Sequence, residues 1–170
     1  MITWKLMSLH IKSPGEAPGV YPVARRGKDL KHLSFTIVQL GGALREHAFE
    51  SGGEELSLDF YTGPVRVDVD GWTAEIGARP SICEPGSMIY VPAGAKVKLT
   101  ALGGDARITI AGAAGKPGMK PVLVEPAQAM RNTVGKDNWT RDVATHIANN
   151  IDAAHLIAGE TINRPGGWSS

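Results

Sequence analysis

The sequence predicts an all-β chain folded as a jelly roll or small barrel, and three observations lead there. Twenty-one Gly and eleven Pro cut the 170 residues into short segments joined by tight turns, a texture that argues against a helical bundle. Within those segments apolar residues fall on every second position, the period that lays one face of a strand on a core. Between two such segments stands Asp70-Gly71, the dipeptide best suited to a two-residue hairpin turn. With 42% hydrophobic residues the chain can bury a proper core.

The strands follow in order. Leu33, Phe35 and Ile37 alternate, and Val38 and Leu40 then change phase, which predicts a strand over 33–40 with a bulge near Val38. Leu56, Leu58 and Phe60 mark the next strand. Val65, Val67 and Val69 run into Asp70-Gly71 and return along Trp72 to Ile76, a hairpin. Met88 to Val91, Val97 to Leu99, Ile108 to Ile110 and Val122 to Val124 bring the number to about eight before residue 125, enough for a jelly roll. Pro126 to Arg131, with Pro at its start and Ala, Gln and Met inside, predicts one short helix that closes the unit. A first domain is therefore expected over residues 1–131.

From Asn132 the character changes. A polar stretch with Asn138, Trp139 and Arg141 precedes a further predicted strand, His155 to Ile162. Thr36, Ile37, Gly41 and Gly42 are matched by Thr161, Ile162, Gly166 and Gly167 at a constant offset of 125 residues, about the size of one small β domain. Residues 132–170 are accordingly expected to hold a linker and the first strand of a second barrel. Such a strand has an unpaired edge, so it is expected to pair with the first barrel or with a neighbouring chain, the latter making a homo-oligomer.

Charge narrows the function classes. Eighteen basic against seventeen acidic residues leave +1, scattered rather than gathered in a stripe, which speaks against nucleic acid as a partner. The one cysteine, Cys83, precludes an internal disulfide and a thiolate-rich zinc site and agrees with a reducing compartment. No apolar run approaches the roughly 18 residues of a membrane span, and Met1 to Pro14 lacks a cleavage pattern, so the expected location is cytoplasmic, with no membrane partner.

Gly86, Pro92 and Gly94 are spaced as Gly, five residues, Pro, one residue, Gly, around the strand Met88 to Val91. This resembles the second conserved motif of the cupin superfamily, which implies a cupin jelly-roll barrel. There the ligand His stands three residues after the second Gly; here Val97 takes its place, and Ala101 stands for the motif's Asn. In the region of the first motif, His47 is followed two residues later by Phe49 instead of a second His. Glu55 lies one residue out of register with the usual acidic ligand. A cupin metal centre needs several imidazoles and a carboxylate converging at about 2 Å. No catalytic and no metal-binding residue is therefore assigned. His47 reads as a partly exposed polar residue at a strand start, and Glu54 and Glu55 as a solvated loop edge. His10, His32, His146 and His155 show no spacing that puts two on one face.

The end of the chain is more specific. Leu156 to Ile162, followed by Pro165, Gly166, Gly167, Trp168, Ser169 and Ser170, resembles the junction segment of 5-deoxyglucuronate isomerases, bacterial bicupin proteins of inositol catabolism. In that family a Gly-Glu strand leads into Pro-Gly-Asn-Trp-Ser-Ser, and only Gly167 departs from it. Asn138, Trp139 and Arg141, and Cys83, Glu84 and Pro85 before Gly86, are similar to the family too, so the resemblance runs from about Phe35 to Ser170. It implies an aldose–ketose isomerisation of 5-deoxyglucuronate to 5-dehydro-2-deoxygluconate, in which a divalent metal stabilises enediolate charge while a base moves the proton. It also implies that the metal ligands of the full-length enzyme follow Trp-Ser-Ser in a second barrel, leaving this chain without cofactor and inactive alone. Trp168 then reads as a packing or strand-edge aromatic, and Ser169 and Ser170 as a solvated end.

The partner implied by resemblance is a small sugar acid; Arg45, Lys96 or Lys98 would meet its carboxylate, though a charged rim is the plainer account. Three further readings stand beside the isomerase barrel: a stand-alone metal-free cupin binding a sugar acid or a protein, a metal-dependent dioxygenase using His47 and Glu55, and an isomerase of 4-deoxy-5-ketouronate.

Overall fold

The computed structural model describes residues 15–136 and 140–162, all of them strand, turn or coil with no helix. Ten strands build the first unit: β1 (Gly19–Ala24), β2 (Leu33–Leu40), β3 (Glu46–Glu50), β4 (Glu54–Thr62), β5 (Val65–Val69), β6 (Trp72–Ile76), β7 (Met88–Val91), β8 (Lys96–Ala101), β9 (Ala106–Ala114) and β10 (Val122–Val124). They pair as a six-stranded sheet in the order β1-β2-β9-β4-β7-β10 and a four-stranded sheet in the order β3-β8-β5-β6, every pair antiparallel. This is the predicted jelly roll.

Alternation decides what lies between the sheets. Leu56, Leu58 and Phe60 of β4, Val65, Val67 and Val69 of β5, Val97 and Leu99 of β8, and Ile108 and Ile110 of β9 form one buried cluster. The predicted β5–β6 hairpin turns on Asp70 and Gly71, both at positive φ (50° and 87°), the arrangement that matches strand twist and favours Asp-Gly. Gly94, at φ 83°, occupies the other turn predicted from the motif. Its N–H donates to the Gly52 carbonyl at 2.7 Å, and Ser51 spans the turn by donating to Pro92 O at 2.8 Å and accepting from Ala95 N at 2.9 Å.

Three expectations need correction. There is no bulge at Val38: β2 runs in unbroken register with β9 from Leu33↔Ala113 to Leu40↔Ala106. The phase change has another cause. Val38 and Leu40 face the core, whereas Leu33, Phe35 and Ile37 lie on the outer face, with Leu33 48% exposed. The helix expected at Pro126 to Arg131 is a turn, closed by Gln128 N–H on Glu125 O and by Gln128 Oε1 accepting from Glu125 N–H, and Met130 already starts a strand. Six residues of good propensity do not cover the cost of helix nucleation when a strand partner is at hand.

That strand, β11 (Met130–Val134), joins β12 (Arg141–Ile147) and β13 (Ala158–Ile162) in a separate three-stranded antiparallel sheet. The strand foreseen at His155 to Ile162 thus begins at Ala158, and it pairs with β12 rather than with a strand of the first barrel. At the offset of 125 residues Thr161 and Ile162 of β13 correspond to Thr36 and Ile37 of β2. Each of these strands pairs with the strand preceding it, β12 or β1, across a one-residue irregularity, between Thr145 and Ile147 in one case and Pro22 and Ala24 in the other. The registers differ, however: Ile37 faces Tyr21, whereas Ile162 faces Asp142, so the sequence repeat is not a repeat of register. Gly166 and Gly167 lie outside the described residues.

The terminal sheet covers the outer face of β4 and β7. Met88, Tyr90 and Ala113 form a second buried cluster with Ile147 and Leu156. Consequently β7 is buried on both faces, Ile89 and Val91 inward and Met88 and Tyr90 outward.

Candidate functional site

Strand β4 separates two polar regions, because successive side chains alternate between its faces. Glu54 shares the inward face with Leu56, Leu58 and Phe60. Glu55, Ser57 and Asp59 point outward, toward the terminal sheet, and are only 0%, 4% and 7% exposed.

The inward region is the barrel mouth, a cavity of about 250 Å³ lined by Ser34, Thr36, His47, Phe49, Glu54 and neighbours. His47 and Phe49, two apart on β3, are stacked with ring centroids 5.3 Å apart and lie opposite Leu99 and Val97 of β8. His47 is half-buried, as expected, and burial holds its imidazole below the usual range. Glu54 is not a solvated edge: Oε1 accepts from Arg26 Nε at 2.6 Å and Oε2 from Ser34 Oγ at 2.7 Å. The positions where a cupin cation would be gripped therefore hold one imidazole, a phenyl ring, the aliphatic side chain of Val97 and a carboxylate, Glu54, already taken up by Arg26 and Ser34. Among the described residues no three His, Cys, Asp or Glu side chains come together as a metal site. The residues present do not fit a cation.

Glu55 corrects the sequence reading most sharply. It was placed on a solvated loop edge and, in one alternative, beside His47 at a metal. A one-residue offset puts it on the opposite face of β4, where its carboxylate is fully hydrogen-bonded. Oε2 accepts from Ala154 N (2.8 Å) and Tyr90 Oη (2.9 Å), and Oε1 from His155 N (2.5 Å) and Leu156 N (2.6 Å). Burial by itself would raise this carboxyl; the backbone N–H groups and the Tyr90 hydroxyl outweigh it and hold the group below its ordinary value. Tyr90 is raised in turn, by burial and by the carboxylate it serves.

Further along the same face lies a buried polar cluster that sequence reasoning missed. Arg79, from the loop after β6, forms an ion pair with Glu160 of β13, their side chains 3% and 9% exposed. Glu160 Oε1 also accepts from Gly86 N at 2.9 Å, and His146 Nε2 donates to Gly86 O at 2.8 Å. Gly86, recognised from its motif spacing, thus receives the terminal sheet with both of its backbone polar groups. The Tyr61 hydroxyl donates to Asp59, and Arg79 stacks over the Tyr61 ring, 5.6 Å from its centroid. The sequence carried no signal for it: Asp59 falls in phase on the outward, polar face of β4, where alternation predicts solvent, and nothing local tied it to His146 or Glu160, roughly a hundred residues on.

The basic residues considered for a sugar carboxylate do not meet at the mouth. Arg45 donates to the Gly104 and Ala101 carbonyls at 2.7 and 3.0 Å. Lys96 and Lys98 alternate with the inward Val97 and Leu99 and lie on the outer face of the four-stranded sheet, Lys98 paired with Glu46 at 2.9 Å. Asn138, Trp139, Trp168, Ser169 and Ser170 fall outside the described residues.

A two-sheet antiparallel barrel with this Gly, Pro, Gly turn defines a cupin-type protein. The chain belongs to the KduI/IolB family, whose profile matches residues 7–170. No curated protein sequence matches it. An IolB-like protein from Salmonella typhimurium LT2 is similar in structure, with a TM-score of 0.70 and 22% identity over 78% of this chain. The chain spans 51% of the length of that protein. A putative glyoxylate-induced protein from Pseudomonas aeruginosa shares the fold at a TM-score of 0.56 and 14% identity, over 76% of this chain and 49% of its own. No helix among the described residues is long and apolar enough to cross a membrane.

The loss of ligands can be tested by restoring them. Phe49 and Val97 are direct cross-strand partners on the face that carries His47, so Phe49→His with Val97→His should gather three imidazoles. The double variant is expected to retain a stoichiometric divalent ion, Zn²⁺ or Mn²⁺, through gel filtration, and its histidine ring resonances should shift on loading. A folded double variant that holds none would show that the mouth lacks cupin ligand geometry.

Proposed function

We propose that this chain is the non-catalytic, metal-free amino-terminal barrel, followed by the β11–β13 sheet as the start of a second unit, of a 5-deoxyglucuronate isomerase-type protein of inositol catabolism. In this reading the metal and the proton-transferring base belong to a second barrel. The first barrel is a scaffold that fixes where that second barrel begins. The observation that carries the reading is how β4 disposes its two adjacent acids. The inner position of a cupin acid is tied up by Arg26 and Ser34, and the outer Glu55 clasps the backbone of residues 154–156.

The test is direct. The purified 170-residue chain, assayed with 5-deoxyglucuronate and divalent metal, should neither turn over nor retain metal after dialysis. A chain carrying the family's second barrel fused after Ser170 should do both. A stoichiometric, tightly bound transition metal in the 170-residue chain, or turnover by it, would overturn the proposal. A stand-alone barrel holding a sugar acid gains no support from charge, because Arg26 at the mouth is already paired with Glu54 and Lys96 and Lys98 lie on the outer face.

A further inference from the structure

We propose that the seam between the barrel and the β12–β13 pair is a proton-tightened joint, closed most firmly when Asp59 carries a proton and loosened when that proton leaves.

The argument begins with the composition of the seam. Asp59 on β4 is faced by Tyr61 on its own strand, Arg79 from the loop after β6, His146 on β12 and Glu160 on β13. Two carboxylates thus share one guanidinium. Arg79 is committed to Glu160, and Asp59 receives only the Tyr61 hydroxyl. Asp59 Oδ1, Arg79 Nη1 and His146 Nδ1 are buried without a hydrogen-bond partner among the described residues. Both Arg79 Nη1 and Asp59 Oδ1 lie on the open side of Gly86: a Cβ built on it would lie 3.4 Å from the first and 3.5 Å from the second. An ionised Asp59 therefore adds a second negative charge, incompletely solvated, beside the groups through which β12 and β13 grip the Gly86 backbone. A protonated Asp59 leaves Arg79 and Glu160 as a balanced pair.

Geometry sets the direction, and the titration follows it. Burial first, and then the Glu160 charge, raise the Asp59 carboxyl to about 6. A carboxyl held high in the docked state favours docking below its free value of 3.8. That advantage is lost progressively as pH rises toward about 6 and is gone above it. Opening of the seam should grow by about tenfold per pH unit within that window.

The 170-residue chain is suited to ¹H–¹⁵N NMR, with the Gly86 amide, donor to Glu160, as reporter. This resonance should follow one titration step centred near pH 6. Amide exchange in β12 and β13, corrected for intrinsic rates and referred to β8, should rise at least about tenfold between pH 4.5 and 6.5. Asp59→Asn should abolish both effects while β8 stays protected. Tyr61→Phe, which removes the hydrogen bond that lowers the Asp59 value, should move the step to higher pH and serves as the second variant if the first fails to fold. A step that persists unchanged in Asp59→Asn, or one that Tyr61→Phe leaves in place, would assign the titration to another group and overturn the proposal. So would β12–β13 protection that is the same at both pH values.

Discussion

Replacing Glu55 with Gln should detach residues 154–156 from the barrel and cost the chain about 3–5 kcal/mol of stability, since each buried donor left without its acceptor costs about 1–3 kcal/mol. The substitution keeps the shape of the side chain and inverts half of its polarity. Both carboxylate oxygens accept two hydrogen bonds, from Ala154 N and Tyr90 Oη on one side and His155 N and Leu156 N on the other. Whichever oxygen becomes an amide NH₂ then faces two donors. Chemical denaturation would read the loss, and hydrogen exchange would place it: Ala154, His155 and Leu156 should exchange fast while β8 stays protected. The pH dependence carries a second signature. Because the folded carboxyl lies below its unfolded value of 4.5, its stabilisation is complete above that pH and vanishes as pH falls through the lower folded value. Thermal midpoints of the native chain should therefore drop steeply on the acid side, and Glu55→Gln should remove that part of the fall. A variant of native stability and unchanged acid behaviour would show that the clasp contributes nothing.

Replacing Arg79 with Met should be comparably severe, about 3–5 kcal/mol, because breaking a buried ion pair strands its partner charge. Here two carboxylates, Glu160 and Asp59, would remain buried without a cation. The double variant Arg79→Met with Glu160→Met should regain much of the loss, since removing both charges also removes the desolvation penalty. Denaturant midpoints of wild type, both single variants and the double variant would give the coupling. Additive losses would mean that the ion pair matters only as two independent side chains.

The barrel was legible in the sequence wherever one strand face was apolar and the other wet. Val65, Val67 and Val69 with Asp70-Gly71, and Leu56, Leu58 and Phe60, told both the strand and its inner face. The same logic failed on β2, where Leu33, Phe35 and Ile37 are apolar on the outside and Ser34 and Thr36 line the mouth. Strands β1, β11 and β12 escaped notice because Pro22 and runs of polar residues broke their alternation, and β3 showed only as a strand start at His47. The family was legible from residues near the end of the chain that carry no fold information of their own.

What the sequence determined alone was the strand class, the Asp70-Gly71 and Pro92-Ala93-Gly94 turns and the family, all of them properties of residues close together in the chain. What only tertiary structure decided was the fate of Glu55, Asp59, Arg79, His146 and Glu160. Alternation marks Glu55 and Asp59 as outward and hence as wet, but outward means solvent only when nothing covers the sheet. The terminal strands do cover it, and a carboxylate that leaves water must then find its donors in whatever backbone or guanidinium the covering layer brings. That pairing joins residues a hundred positions apart, and no local pattern encodes it.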